Sequence, residues 1–164
     1  RRPPRSTLFP CTTLFRSNRQ RDILYKSGVR YRDFLDDYLR FGNDFGQSTL
    51  GALETLFNST IEFVNELFGP KAFWLYRYRN NNWIWYSRPT TAVYDTLMLV
   101  AARYLENSTS ILAKKAVIDS LMEEFYKQNY DTFEGRNTNP TIISEREARF
   151  DELFKSFQIG RAHV

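Results

Sequence analysis

The feature that most constrains the fold of this chain is the spacing of its apolar residues. In five stretches they recur every three or four positions, which places them on one face of an α-helix. The pattern predicts helices over 30–41, 48–68, from about 89 onward, 109–128 and a last one after the polar loop 134–140. Because few strand patterns remain, the sequence predicts an all-α fold, an irregular bundle of about five helices. The apolar positions of the last two helices are Leu112, Val117, Leu121, Phe125, Phe150, Leu153, Phe154 and Phe157.

The segment 76–88 departs from this helical spacing. Its aromatic residues alternate around Asn80, Asn81 and Asn82, which predicts a short aromatic loop or hairpin, and 71–76 is expected to add one helical turn before it. The arginines at 77, 79 and 88 interleave with these aromatic residues. Two interpretations stay open, because such residues stack on bases and hold phosphates, yet they also occur in hairpins that pack on a helical core.

The two ends of the chain resemble translated sequencing-library adapter. Residues 1–17 match one reading frame of such an adapter apart from Cys11, where that frame encodes Tyr, and 159–164 match the opposite adapter. Segments that are foreign to a natural protein carry no information about its fold. We therefore expect 1–17 and 158–164 to be non-native, and 18–157 to be a helical domain that is a fragment of a longer protein.

This division changes the charge of the chain. The whole sequence has 23 basic and 19 acidic residues, but the end segments hold five arginines and no acid, which leaves 18 basic against 19 acidic residues, a net charge of −1. The basic isoelectric point is therefore no indication of a nucleic-acid surface by itself. The end segments hold Arg1, Arg2, Arg5, Arg16 and Arg161.

The same division removes the residues on which many active sites depend. The single cysteine, Cys11, and the single histidine, His163, both lie in the end segments. For 18–157 this excludes disulfides, Cys/His zinc sites and nucleophiles paired with histidine. We expect no catalytic residues, metal site or cofactor in this fragment. No apolar run approaches the ~20 residues that span a membrane, so we expect a cytoplasmic protein without a membrane partner.

The polar loop and the helix after it contain the best candidates for contacts with DNA or phosphate. A Thr/Asn loop that leads into a helix N-terminus offers amide donors to an anion. The alternative is a solvated loop followed by a helix that Ser144 and Glu147 cap, with arginines paired to neighbouring acids. The candidate contacts are Arg136, Asn137, Thr138, Asn139, Arg146, Arg149 and, before the third helix, Arg88.

Four motifs in order resemble a known family. They are RYRDFLDDYL (30–39), ELFGPKAF (66–73), SRPTTAVYDTLMLVAARYL (87–105) and EGRNTNPTIISEREARFDELF (134–154). Together they resemble the C-terminal helical half of the GmrSD-type restriction endonucleases, domain of unknown function 262. The chain departs from the family at Thr90-Thr91, where the family has an Asn-Lys pair, so any role of that pair is in doubt here.

The resemblance implies an accessory helical half of a nucleotide-dependent DNA restriction or phage-defence protein. It would brace a ParB-like nucleotide-binding half, absent here, as its partner and contact DNA. The NTP and the divalent metal would belong to that other part of a parent NTP-dependent endonuclease. The sequence leaves the oligomeric state undetermined. The alternative function is a helical protein–protein interaction module without nucleic-acid binding.

Overall fold

The fold is that of a computed structural model, which describes Phe15 and residues 30–42, 44–135 and 139–159. In this part of the chain the architecture is helical, as predicted, with a single two-stranded hairpin. Five of its helices have eleven or more residues and correspond to the five predicted ones. The helices are α1 (Tyr31–Gly42), α2 (Gln47–Phe68), α3 (Thr91–Arg103), α4 (Ser108–Leu112), α5 (Ile118–Gln128), α6 (Tyr130–Phe133) and α7 (Pro140–Ile159).

The hairpin predicted around 76–88 is present. Strand β1 (Leu75–Arg79) pairs antiparallel with β2 (Asn82–Tyr86), with Leu75 opposite Tyr86 and Arg79 opposite Asn82. Asn80 and Asn81 form the two-residue turn at positive φ, 51° and 60°. Such turns match the twist of the strands, and asparagine tolerates this conformation well. The helical turn expected over 71–76 lies earlier instead, at Gly69–Lys71, because the chain is already extended at Leu75.

Helix α3 lies at the centre of the fold, between α2 and α7. Nine consecutive residues, from Val93 to Ala101, are buried. A helix that is buried on every side is surrounded by other elements rather than lying on the surface. The sequence predicted a helix with one buried face here. Its other faces also carry mostly apolar residues, which explains why the helix is enclosed on all sides.

The core around α3 is largely aromatic. Phe125 packs on Phe150 with ring centroids 5.0 Å apart, and on Phe133 at 5.5 Å. Phe154 contacts both Phe63 and Tyr104. Stacked, tilted and edge-to-face contacts of this kind add to the large area that each ring buries. The predicted core positions Phe150, Phe154 and Phe157 are therefore confirmed, while Leu153 is partly buried at the edge of the core.

The predicted fourth helix, 109–128, is interrupted. Helix α4 ends at Leu112, a 3-10 turn covers Lys115–Val117, and α5 begins at Ile118. The tighter turn changes the phase of the helix, so Val117 is 50% exposed while Ile118 and Met122 are buried. The prediction of Val117 as a core residue was wrong for this reason.

Helix α7 begins earlier than predicted. Its first residue is Pro140, and the side-chain oxygen of Asn139 accepts a hydrogen bond of 2.9 Å from the amide of Ile142. This is an N-cap interaction, followed by a proline at the first helical position. Ser144 and Glu147 consequently lie within the helix, and the predicted capping box was wrong.

Phe15 belongs to the adapter-like segment, yet its side chain is buried in the main core. It is 1% exposed, and its ring lies edge-on to Phe57 with centroids 5.7 Å apart. Burial of apolar surface is non-directional, so an apolar side chain of any origin can fill such a groove. The boundary at residue 17 stays a prediction.

None of the helices in the described ranges is long and apolar enough to cross a membrane.

Candidate functional site

A cavity of the described chain lies between the hairpin, the start of α3 and the first half of α7. Its volume is about 710 Å³. Two of the segments that carry the family resemblance, 87–105 and 134–154, supply much of its lining. The charged residues of the lining are Arg77, Arg79, Asp95, Glu134 and Arg146.

The alternation of the hairpin explains why its arginines lie at this cavity. Successive side chains of a strand point to opposite faces of a sheet. Arg77 and Arg79 share a face with Leu75 and Tyr86, and all four line the cavity. The guanidinium of Arg77 also lies 5.2 Å from the centre of the Tyr86 ring.

The other face of the hairpin packs on the helical core. Trp83 lies edge-on to Tyr130 at 5.5 Å, and Trp85 lies edge-on to Tyr126 at 6.0 Å. The indole nitrogen of Trp85 donates a hydrogen bond of 3.1 Å to Glu123. Of the two interpretations of this segment, the packed hairpin therefore holds for the tryptophans, while its arginines face the cavity.

An ion pair joins the hairpin to the segment that precedes the polar loop. Arg77 donates to the carboxylate of Glu134, and both side chains are largely covered. Gly135 follows at a φ of 91°, a conformation that glycine adopts without steric cost. The candidate contacts Arg136, Asn137 and Thr138 come next in the chain and lie outside the described residues.

Arg146 lies at the base of the cavity and is not exposed on the surface of α7. It is 2% exposed, and its Nε donates a hydrogen bond of 2.8 Å to the carbonyl oxygen of Thr132. Burial lowers the pKa of the Arg146 guanidinium, while the charges of Asp95 and Glu145 act in the opposite direction. A ligand would reach Arg146 only from inside the cavity, so this residue cannot form the surface contact that the sequence suggested.

The remaining candidates are not gathered at the cavity. Arg149 pairs with Glu152 at 3.3 Å and lies 3.9 Å from Glu145, which fits the alternative of a solvated helix face. Asn139 caps α7. Arg88 is exposed. It lies two residues after the end of β2 and directly before Pro89, which lines the cavity.

The start of α3 forms another part of the wall. The helix begins at Thr91, later than the predicted start near 89. Thr90 is the residue before it, and its backbone oxygen accepts hydrogen bonds from the amides of Val93 and Tyr94. Its side-chain Oγ1 is buried and forms no cap; within the described residues it has no hydrogen-bond partner. Thr91 and Ala92 also line the cavity, and the first amides of a helix have no acceptor within it.

Sequence reasoning missed Asp95 and gave Arg79 no separate role. A signal for Asp95 did exist, because it is a lone carboxylate in the apolar run of α3 and such residues are seldom buried without a partner. It is 7% exposed here. No sequence signal showed that Arg79 and Arg146, which are distant in the chain, would face one cavity.

The cavity therefore combines guanidinium groups, threonine hydroxyls and two carboxylates with an apolar wall. These groups suit the binding of an anionic ligand, because guanidiniums and hydroxyls donate hydrogen bonds to oxyanions. Within the described ranges, no three histidine, cysteine or acidic side chains come together as metal ligands. Comparison of the chain with protein-family models, curated proteins and solved structures found no match.

Proposed function

We propose that this domain is a non-catalytic accessory domain of a DNA-directed restriction or phage-defence protein, and that it contacts DNA phosphates beside the cavity. Nucleotide chemistry and the divalent metal would belong to a ParB-like half of the same protein, which this domain braces. The observation that supports the proposal is the convergence of two segments, 87–105 and 134–154, on one cavity with an excess of arginine. These are two of the four segments that carry the family resemblance.

The exposed cations near the cavity mouth supply the DNA contact in this proposal. Arg79 and Arg88 are exposed, and neither has an ion pair with a described residue. An unpaired guanidinium can bind a phosphate without first breaking an ion pair. Arg146 is too deeply buried to reach a duplex and has no part in this contact.

Salt-dependent binding of a labelled DNA duplex to the full chain tests the proposal. We expect binding at low salt that weakens steeply as salt increases, because phosphate contacts release counterions. The double variant Arg79→Gln/Arg88→Gln should bind more weakly and should lose about one unit of salt slope per arginine.

The matched control is Arg32→Gln/Arg40→Gln on α1, which removes the same charge from exposed positions elsewhere. The arginines of the end segments attract DNA nonspecifically and are the same in both double variants. A difference between the two variants therefore reports the contact at Arg79 and Arg88. Equal loss of affinity in both double variants would contradict the proposal.

A second candidate function is a protein–protein interaction module. The observation in its favour is the exposure of two large apolar side chains on α1, Leu39 at 48% and Phe41 at 58%. Large exposed apolar side chains occur at protein interfaces, where a partner covers them. No DNA binding at low salt by the full chain would favour this candidate over the first.

A further inference from the structure

The cavity has the size and the mixed lining of a small-molecule site. Such sites usually measure about 300–1,000 Å³ and combine apolar walls with a few polar groups. Here Leu75, Phe133 and Ile143 supply buried apolar surface, and five charged side chains supply the polar part of the lining. A ligand that fills this cavity therefore needs both an apolar face and a polar end.

The charges of the lining favour an anion. Three arginines and two carboxylates line the cavity, so its lining has one positive charge in excess. Arg77 pairs with Glu134, and the charge of Asp95 acts on Arg146. Arg79 has no ion pair within the described residues, which leaves its charge to a ligand.

Three buried polar atoms of the lining lack a hydrogen-bond partner within the described residues. They are Nε of Arg77, Oγ1 of Thr90 and Oε2 of Glu134. Buried polar atoms without partners are costly and uncommon, so each of them calls for a partner. The first two are donors that suit an oxyanion, and the third is an acceptor that suits a hydroxyl or amino group.

We propose that the cavity binds a nucleoside monophosphate. Arg77, Arg79 and Thr90 donate to the phosphate oxygens, Glu134 accepts a hydrogen bond from the sugar or the base, and the apolar wall covers the ring. This binding goes beyond the proposed DNA contact, because it takes place inside the cavity and requires no duplex. It holds equally if the domain is a protein-interaction module.

Isothermal titration calorimetry of the full chain with AMP, CMP, GMP and UMP tests this proposal. At least one of them should bind in the micromolar to millimolar range. The corresponding nucleoside lacks the phosphate contacts, and inorganic phosphate lacks the contacts to the sugar and base. Each should therefore bind at least about tenfold more weakly, a loss of about 1.4 kcal/mol. Arg79→Gln and Thr90→Val should each weaken binding about tenfold, the typical effect of a lost hydrogen bond to a charged group.

Thr90→Val separates a ligand contact from a structural role. Its Oγ1 bonds to no described residue, so the variant should unfold at nearly the same temperature as the wild type. The matched controls are Thr55→Val, which removes a hydroxyl bonded to the Gly51 carbonyl on α2, and Arg32→Gln on α1. Both should leave nucleotide affinity unchanged.

Two results would overturn the proposal. One is the failure of all four nucleotides to bind at millimolar concentration while the chain is folded by circular dichroism. The other is binding that Arg79→Gln and Thr90→Val leave unchanged. Neither result depends on whether the duplex assay succeeds, so the two proposals fail separately.

Discussion

Arg77 pairs with Glu134 although the two residues are 57 positions apart in the chain. The pair joins β1 to the segment that leads into the polar loop, and it forms one side of the cavity. Tyr76, the neighbour of Arg77 in the strand, instead packs on Trp83 and Trp85 on the opposite face of the hairpin. Alternate side chains of β1 therefore lie on opposite faces of the hairpin, with the tyrosines towards the core and the arginines towards the cavity.

The aromatic core predicts a large effect of truncating Phe150. Phe150 is fully buried against Phe125 and Phe133, so Phe150→Ala should lower the free energy of unfolding by about 3–5 kcal/mol. Urea denaturation followed by circular dichroism measures this change. Phe41→Ala, the same substitution at a side chain that is 58% exposed, should change stability by less than about 0.5 kcal/mol. Similar effects at the two positions would contradict the described core.

The burial of Arg146 predicts that it stabilises the fold. Arg146→Met removes the charge near Asp95, and an uncompensated buried charge typically costs about 3–5 kcal/mol. Arg149→Met changes a side chain on the same helix that is 40% exposed and pairs with Glu152, and it should cost less than about 1 kcal/mol because such ion pairs contribute little. Thermal or urea unfolding of both variants checks this order, and a reversed order would place Arg146 at the surface.

The N-cap of α7 predicts opposite results for two polar residues. Asn139→Ala removes the acceptor for the Ile142 amide and should cost about 0.5–2 kcal/mol of stability. Ser144→Ala changes an exposed position inside the helix, where alanine is the better helix former, so stability should stay equal or rise slightly. Equilibrium unfolding of both variants is the measurement. A larger loss for Ser144→Ala would restore the helix start that the sequence suggested.

The contact between Tyr104 and Asp151 predicts a loss of stability in acid. Burial works to raise the pKa of Asp151, but hydrogen bonds from Lys155 and from Tyr104, the latter at 2.9 Å, outweigh it, and the pKa lies below its ordinary value of 3.8. A lowered folded-state pKa stabilises the fold above pH 3.8, and this contribution is lost as the pH falls through the folded-state value. Urea unfolding at pH 7 and in acid measures it.

Asp151→Asn should therefore be less stable than the wild type at pH 7, and the difference should shrink in acid. Tyr104→Phe removes one of the hydrogen bonds while keeping the carboxylate, so it should show part of the same effect. An Asp151→Asn difference that grows in acid would have the wrong sign for a carboxylate with a lowered pKa.

Much of the fold followed from the sequence because helical spacing is a local property. The five long helices, the hairpin and the core positions of α7 all needed only the order of apolar residues within one segment. The break before α5 did not follow, because the apolar pattern continues through Val117 while the backbone changes phase there. The start of α7 was misplaced because Asn139 and Ser144 both have the chemistry of a cap, and only the backbone decides between them.

The cavity was less predictable than the fold. Its arginines come from β1 and α7, and Asp95 comes from α3, so their meeting depends on packing between distant segments. The sequence singled out Arg146 for its charge, but charge alone does not show whether a side chain lies at a surface or beneath one. The contact between α3 and α7 determines this.

Binding of a nucleotide requires that the hairpin, the start of α3 and the segment before the polar loop respond to one ligand together. Backbone amide chemical shifts of the full chain can be recorded by nuclear magnetic resonance with increasing amounts of the tightest-binding nucleoside monophosphate. We expect saturable shifts at Arg77, Thr90, Thr91 and Gly135, with little change along α1. Shifts that fall mainly on α1 or the chain ends, or none at these four amides, would contradict a ligand-binding cavity at the start of α3.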